Sequence, residues 1–148
     1  MVKFGICDGE NDTKAFVTTD TELKWICTVV NQQAMDVEFR AIDYCVIILR
    51  KDGNQERICD AMLTYNDNIV FIELKEKVKS WMEDGIDQIQ KTLPYFTANH
   101  NLAEFRHKRA FVANRRHPDF HVIDQGLKRW FWDNYRIRIN VQAEIVVK

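Results

Sequence analysis

Apolar and polar positions change period several times along the chain, and each change marks an element. Residues 69–72, Ile-Val-Phe-Ile, form a β-branched and aromatic run bounded by turn residues and too short for a helix, which predicts a strand. Residues 58–65 supply a second strand, and Asn66-Asp67-Asn68 between them tolerates the left-handed backbone of a tight turn, so the two form a hairpin. With Asp67 and Asn68 as the turn residues, Asp60 faces Lys75 and Met62 faces Glu73. Upstream, residues 44–50 (YCVIILR) predict a third strand turned back at Asp52-Gly53, which sets Cys45 opposite Asp60 and Asp43 opposite Met62.

Beyond the hairpin the period becomes helical. Ser80-Trp81-Met82-Glu83 has the pattern of a capping box, Met82, Ile86, Ile89 and Leu93 fall on one stripe, and Pro94 predicts the end of the helix. A strand follows at 109–114, so that strand, helix and strand in succession suggest a parallel crossover. Residues 123–135 read as a second helix carrying Trp130, Phe131, Trp132 and Tyr135, an aromatic group more often core than a stacking platform. Residues 136–147 (RIRINVQAEIVV) alternate as one terminal strand. KAFVTT and KWICTVV near the start add strands that extend the sheet, and DVEFRAID at 36–43 also alternates as a strand. The expectation is an α/β fold, a mixed central β-sheet flanked by helices, in a single domain over 1–148; 46% hydrophobic composition suffices for a substantial core.

Charge enters the picture within the hairpin. Alternation puts Asp60, Glu73 and Lys75 on one face, with Asp43 near its end. Buried carboxylates are costly unless paired or bound to a metal, and hard oxygen ligands select Mg²⁺ or Mn²⁺. A lysine beside such a cation can orient or deprotonate an attacking water. The alternative is a cross-strand ladder of opposite charges on a solvated face. The chain as a whole has 21 basic and 22 acidic residues, but residues 1–74 hold 7 Lys/Arg against 13 Asp/Glu and residues 75–148 hold 14 against 9. The basic half, densest at Arg106, Lys108, Arg109, Arg115 and Arg116, suits phosphate; a solvated face is the plain alternative. His117 and His121 have a metal-ligand spacing for a helix, but Pro118 favours a loop and no site is assigned. Four cysteines without a CxxC pair, and no apolar signal or anchor segment, point to free thiols, the cytoplasm and no membrane.

Asp60, a twelve-residue spacer and Glu73-Leu74-Lys75 on a strand after a hairpin resemble the acid-spacer-ExK motif of the PD-(D/E)XK nuclease superfamily, over roughly residues 43–114. The resemblance implies a restriction-endonuclease-like core and Mg²⁺- or Mn²⁺-dependent hydrolysis of phosphodiester bonds, with DNA as the expected nucleic acid. It makes Asp60, Glu73 and the Leu74 backbone carbonyl metal ligands and Lys75 the catalytic lysine. Gln88 matches the polar helix residue that reaches the active site in many members, and Glu38 and Asp43 are the candidates for a further acidic ligand upstream. Arg109, Arg115 and Arg116 are the expected nucleic-acid contacts. The sequence departs from the family pattern in Cys59, where the family name has proline, and in Tyr95, one step late for a glutamine, three residues, tyrosine pattern. A non-catalytic nucleic-acid- or protein-binding module of the same fold, or an unrelated small interaction module, are the alternatives; a homodimer is open.

Overall fold

A computed structural model describes residues 2–9, 13–43, 49–56 and 58–148. The strands are β1 (Val2–Cys7), β2 (Phe16–Thr18), β3 (Cys27–Asn31), β4 (Glu38–Ala41), β5 (Ala61–Tyr65), β6 (Asn68–Lys75), β7 (His107–Asn114), β8 (Arg138–Val141) and β9 (Glu144–Val147). The helices are α1 (Trp81–Asn99), between β6 and β7, and α2 (Gln125–Tyr135), between β7 and β8. β4-β5-β6-β7-β8 form one sheet, antiparallel as far as β6 and parallel through β7 and β8, so both crossovers carry a helix.

The central strand β6 is buried from Ile69 to Leu74, and its two faces pack on different partners. Val70, Ile72 and Leu74 meet Ile6, Val29 and Ile145 of the second sheet, whose order is β2-β1-β3-β9. Ile69 and Phe71 meet Ile86, Ile89 and Leu93 of α1, and the same apolar layer reaches Phe131 of α2. The layers are therefore helix, sheet, sheet. A strand covered on both faces wants a continuous apolar run, so the charge of Glu73 within it is exceptional. Among the described residues no helix is long and apolar enough to cross a membrane.

Several expectations change. The N-terminal strands build a second sheet instead of extending the first. The single terminal strand is two: at Gln142-Ala143 the chain leaves the first sheet and β9 joins the second, parallel to β3, with Thr28 donating to the Ala143 carbonyl at 2.8 Å. Alternating apolar residues satisfy either sheet equally, so periodicity does not reveal the switch. Helix α1 runs through Pro94, because Leu93 and the half-buried Phe96 are held by the core while Gln90, whose carbonyl loses its partner, is partly exposed. The capping box is absent: Ser80 has φ 56° and its side chain caps nothing. Helix α2 has the more regular start, with the Asp124 side chain accepting the Leu127 N–H at 3.2 Å.

Candidate active site

The hairpin turn is Asn66-Asp67, not Asp67-Asn68, with Asn66 at φ 47°. Tyr65 pairs with Asn68 and Ala61 with Ile72. Continued by one residue, this register brings Asp60 level with Glu73 instead of Lys75. Met62 faces Phe71, not Glu73. The slip is of two residues, so side-chain parity survives and Asp60, Glu73 and Lys75 stay on the face that carries α1.

The other partner of β5 is also corrected. Residues 38–41 pair with it, and Met62 faces Arg40, not Asp43. Leu49 bridges Gln55, and Gly53 takes φ 84°, the left-handed position of a three-residue loop. Tyr44 to Ile48, and with them Cys45, lie outside the described residues. Asp43 nevertheless approaches the site, since its N–H and that of Ile42 both donate to the Asp60 carbonyl, at 3.3 and 2.8 Å. Glu38 does not: it stands opposite Thr64, toward the other end of β5, and pairs with Arg40 at 2.6 Å.

Asp60 Oδ2 accepts the Leu74 N–H at 2.7 Å, which ties the first carboxylate to the strand carrying Glu73 and Lys75. A strand residue points its carbonyl and N–H to the same edge, so the Leu74 carbonyl is also directed to the Asp60 side. Glu73 is only 1% exposed. Its Oε2 lies 3.0 Å from Lys75 Nζ, and its Oε1 is buried without a hydrogen-bond donor. Lys75 Nζ donates to Gln88 Oε1 at 2.5 Å, and Gln88 Nε2 donates to the Ile58 carbonyl at 3.4 Å. Thr92, one turn further along α1, donates to the Gln88 carbonyl and accepts the Cys59 N–H, both at 2.7 Å. Helix α1 is thereby fastened to the segment before β5, and Gln88 points at the lysine.

Burial pushes the Glu73 carboxyl well above its ordinary range, and the neighbouring Asp60 carboxylate pushes it further; Lys75 opposes both. Two acceptors face each other there, and a proton or a cation relieves the conflict. The donor set of Asp60, Glu73 and the Leu74 carbonyl is all oxygen and fits a hard divalent ion, which takes only one or two protein carboxylates and keeps its waters. Among the described residues no three His, Cys, Asp or Glu side chains converge closely enough to hold a metal by themselves. A bound ion would thus depend on the backbone carbonyl and water.

Asp8, just past the end of β1, is the residue the sequence reading missed. Its surface is open to solvent, yet the surrounding protein and then the Asp60 charge push its pKa up to about 6, with Glu76 and Asp43 adding to the rise and the Gly9 N–H opposing it. Nothing in the spacing could have placed it, because β1 belongs to the other sheet.

The three expected arginine contacts divide. Arg115 and Arg116 follow β7 at the carboxylate end, where the Arg115 N–H donates to the Lys75 carbonyl at 3.3 Å and its guanidinium pairs with Glu76 at 2.8 Å. Arg109 lies near the opposite end of β7, bound to the Tyr65 hydroxyl at 2.6 Å. His117 and His121 occupy the loop after β7, both packed on Trp81 with ring centroids 5.8 and 5.2 Å away. Compared with protein-family models, with curated proteins and with solved structures, the chain matches none.

Proposed function

We propose that the chain is a metal-dependent phosphodiesterase of the PD-(D/E)XK type, acting on DNA, with Asp60, Glu73 and Lys75 as its central residues. The observation that carries this reading is the buried Glu73, whose Oε1 has no donor, set between Asp60 and a lysine that is itself held by Gln88. A surface charge ladder would be solvated; this one is enclosed. The order of β4, β5, β6, α1 and β7, antiparallel through the hairpin and parallel across the helix, supports the same reading.

Mg²⁺ or Mn²⁺ held by Asp60, Glu73 and the Leu74 carbonyl would supply Lewis-acid polarisation of the phosphate and a more acidic water. The chain's own residues prepare the place. The Leu74 N–H fixes the Asp60 carboxylate, and Glu73 and Gln88 fix the Lys75 ammonium from two sides, so that it can orient a water for attack in line with the leaving oxygen. Arg116 adds positive charge at this end for the incoming strand, and Arg115 does so while paired with Glu76.

The test is hydrolysis of linear duplex and single-stranded DNA with Mg²⁺, with Mn²⁺ and with chelator. Wild type should cut only with metal, and Lys75→Ala should be slower by about 10²- to 10⁴-fold while keeping its metal-induced rise in Tm. Glu73→Gln should lose both. Equal cleavage by Lys75→Ala and wild type would refute the mechanism. If neither protein responds to metal, the reading as a non-catalytic binding module replaces it.

A further inference from the structure

The end of the sheet away from Glu73 carries the opposite charge. There β6 and β7 begin side by side, with Asn68 paired to His107, five residues and roughly 17 Å along β6 from Glu73. A cleft of about 540 Å³ opens at this end, and its lining includes Arg106, Lys108, Arg109, Trp132, Arg136 and Arg138 and not one Asp or Glu among the described residues.

The fold forces these cations together. The parallel register of β7 and β8 sets Arg109 directly beside Arg138, an unfavourable pairing of like charges unless an anion lies between them. Arg109 is fixed by the Tyr65 hydroxyl and by the Val146 carbonyl at 3.1 Å, with its guanidinium over the Phe111 ring. The guanidinium carbons of Arg136 and Arg138 sit 5.5 and 5.7 Å from the centroid of the Trp132 ring, which is still 42% exposed. Arg136 closes α2 at φ 57°, a left-handed position that turns the chain from helix into strand and brings both arginines to the indole. An indole on the last turn of α2, beside the edge strand β8, contacted by two guanidiniums and left open, is out of place as core.

We propose that this cleft binds a single strand of nucleic acid, its phosphates on Arg106, Arg136 and Arg138 and an unpaired base against the open part of Trp132. A free anion would use the cations, and the indole beneath them, but leave the open part of the indole unused. A duplex keeps its bases stacked inside, whereas a single strand offers repeated phosphates together with aromatic surface. The inference rests on the cleft alone and holds whether or not Glu73 supports cleavage.

A fluorescently labelled oligothymidylate of about 12 nucleotides, titrated with protein in chelator and read by anisotropy, tests it. Wild type should bind, and Trp132→Leu should weaken binding about tenfold, the effect of removing one stacking partner. Arg136→Gln with Arg138→Gln should flatten the slope of log affinity against log salt by roughly 1.4. The proposal is overturned if these variants bind as wild type does, or if no oligonucleotide binds. It is equally overturned if inorganic phosphate at matched phosphate concentration displaces the strand, or if a duplex of the same length binds as tightly. Should binding instead fall with Arg115→Gln and Arg116→Gln while Trp132→Leu is unaffected, the strand sits at the carboxylate end and the distal cleft is not its site. Cleavage, read separately through Glu73 and Lys75, survives any of these outcomes.

Discussion

Asp60 Oδ2 accepts the backbone N–H of Leu74 at 2.7 Å, so an acidic side chain takes the place of a strand partner just where β5 has not yet begun. The bond serves the fold and the site at once, and substitutions should separate the two roles. Asp60→Asn keeps an oxygen for Leu74 and removes the charge; Asp60→Ala leaves the N–H without a partner. The alanine variant should be less stable than the asparagine variant by about 1–3 kcal/mol, the cost of a buried unsatisfied donor. Both should lose the metal response. Urea midpoints decide the matter, and equal stabilities of the two variants would mean that the bond contributes nothing.

Glu73 should cost the metal-free protein stability. Its folded pKa lies above the ordinary carboxylate value, so the folded state retains a proton that the unfolded chain has released. Below the unfolded pKa of about 4.3 the protonated group costs nothing, and stability is lost as pH rises toward the folded value. Glu73→Gln abolishes this slope and gives Asp60 a donor to face. In chelator at pH 8 it should be more stable than wild type by about 1–3 kcal/mol, with the difference shrinking toward pH 4. A variant that is less stable at pH 8 would show that Lys75 already neutralises the carboxylate.

Asp8 should titrate near pH 6, observed by NMR at its side-chain carboxyl. Asp60 is the first of the charges raising it, so Asp60→Asn should move the midpoint down toward the ordinary range. A bound divalent cation should act in the same direction. If Asp8 titrates near 4 in wild type, the end of β1 does not crowd the carboxylates.

The hairpin, α1 and the crossover were legible from local signals: Ile69 to Ile72 is an unbroken β-branched and aromatic run bounded by turn residues, Ile86, Ile89 and Leu93 recur at helical spacing, and the order strand, helix, strand gives the crossover. The face shared by Asp60, Glu73 and Lys75 was legible for the same reason, even though the turn was misplaced, since a slip of two residues preserves parity. What remained hidden depends on the other sheet. Asp8, just past β1, feels the Asp60 charge, and Ala143 hands the chain from one sheet to the other; neither leaves a mark in local spacing. The Ser80 cap failed because its motif fits the pattern while the backbone before α1 takes a left-handed turn.

Gly85 offers the last test, of how α1 positions Gln88. In the interior of a helix, alanine normally favours folding by about 1 kcal/mol over glycine. Here a Cβ would lie 2.5 Å from Val112 Cγ1 on β7, so the helix rests on the sheet only because the side chain is absent. Overpacking typically costs about 1–3 kcal/mol, which exceeds the gain in helix propensity. Gly85→Ala should therefore lower Tm. It should also push α1 away from β7, one turn before Gln88 meets Lys75, and loosen a contact now 2.5 Å long. Any metal-dependent cleavage should then fall at temperatures where the variant remains folded, and Gln88→Ala, which removes the contact directly, should reproduce that loss of cleavage. A Gly85→Ala protein with raised Tm and full activity would show that Val112 yields and that the close approach of α1 does not set the lysine.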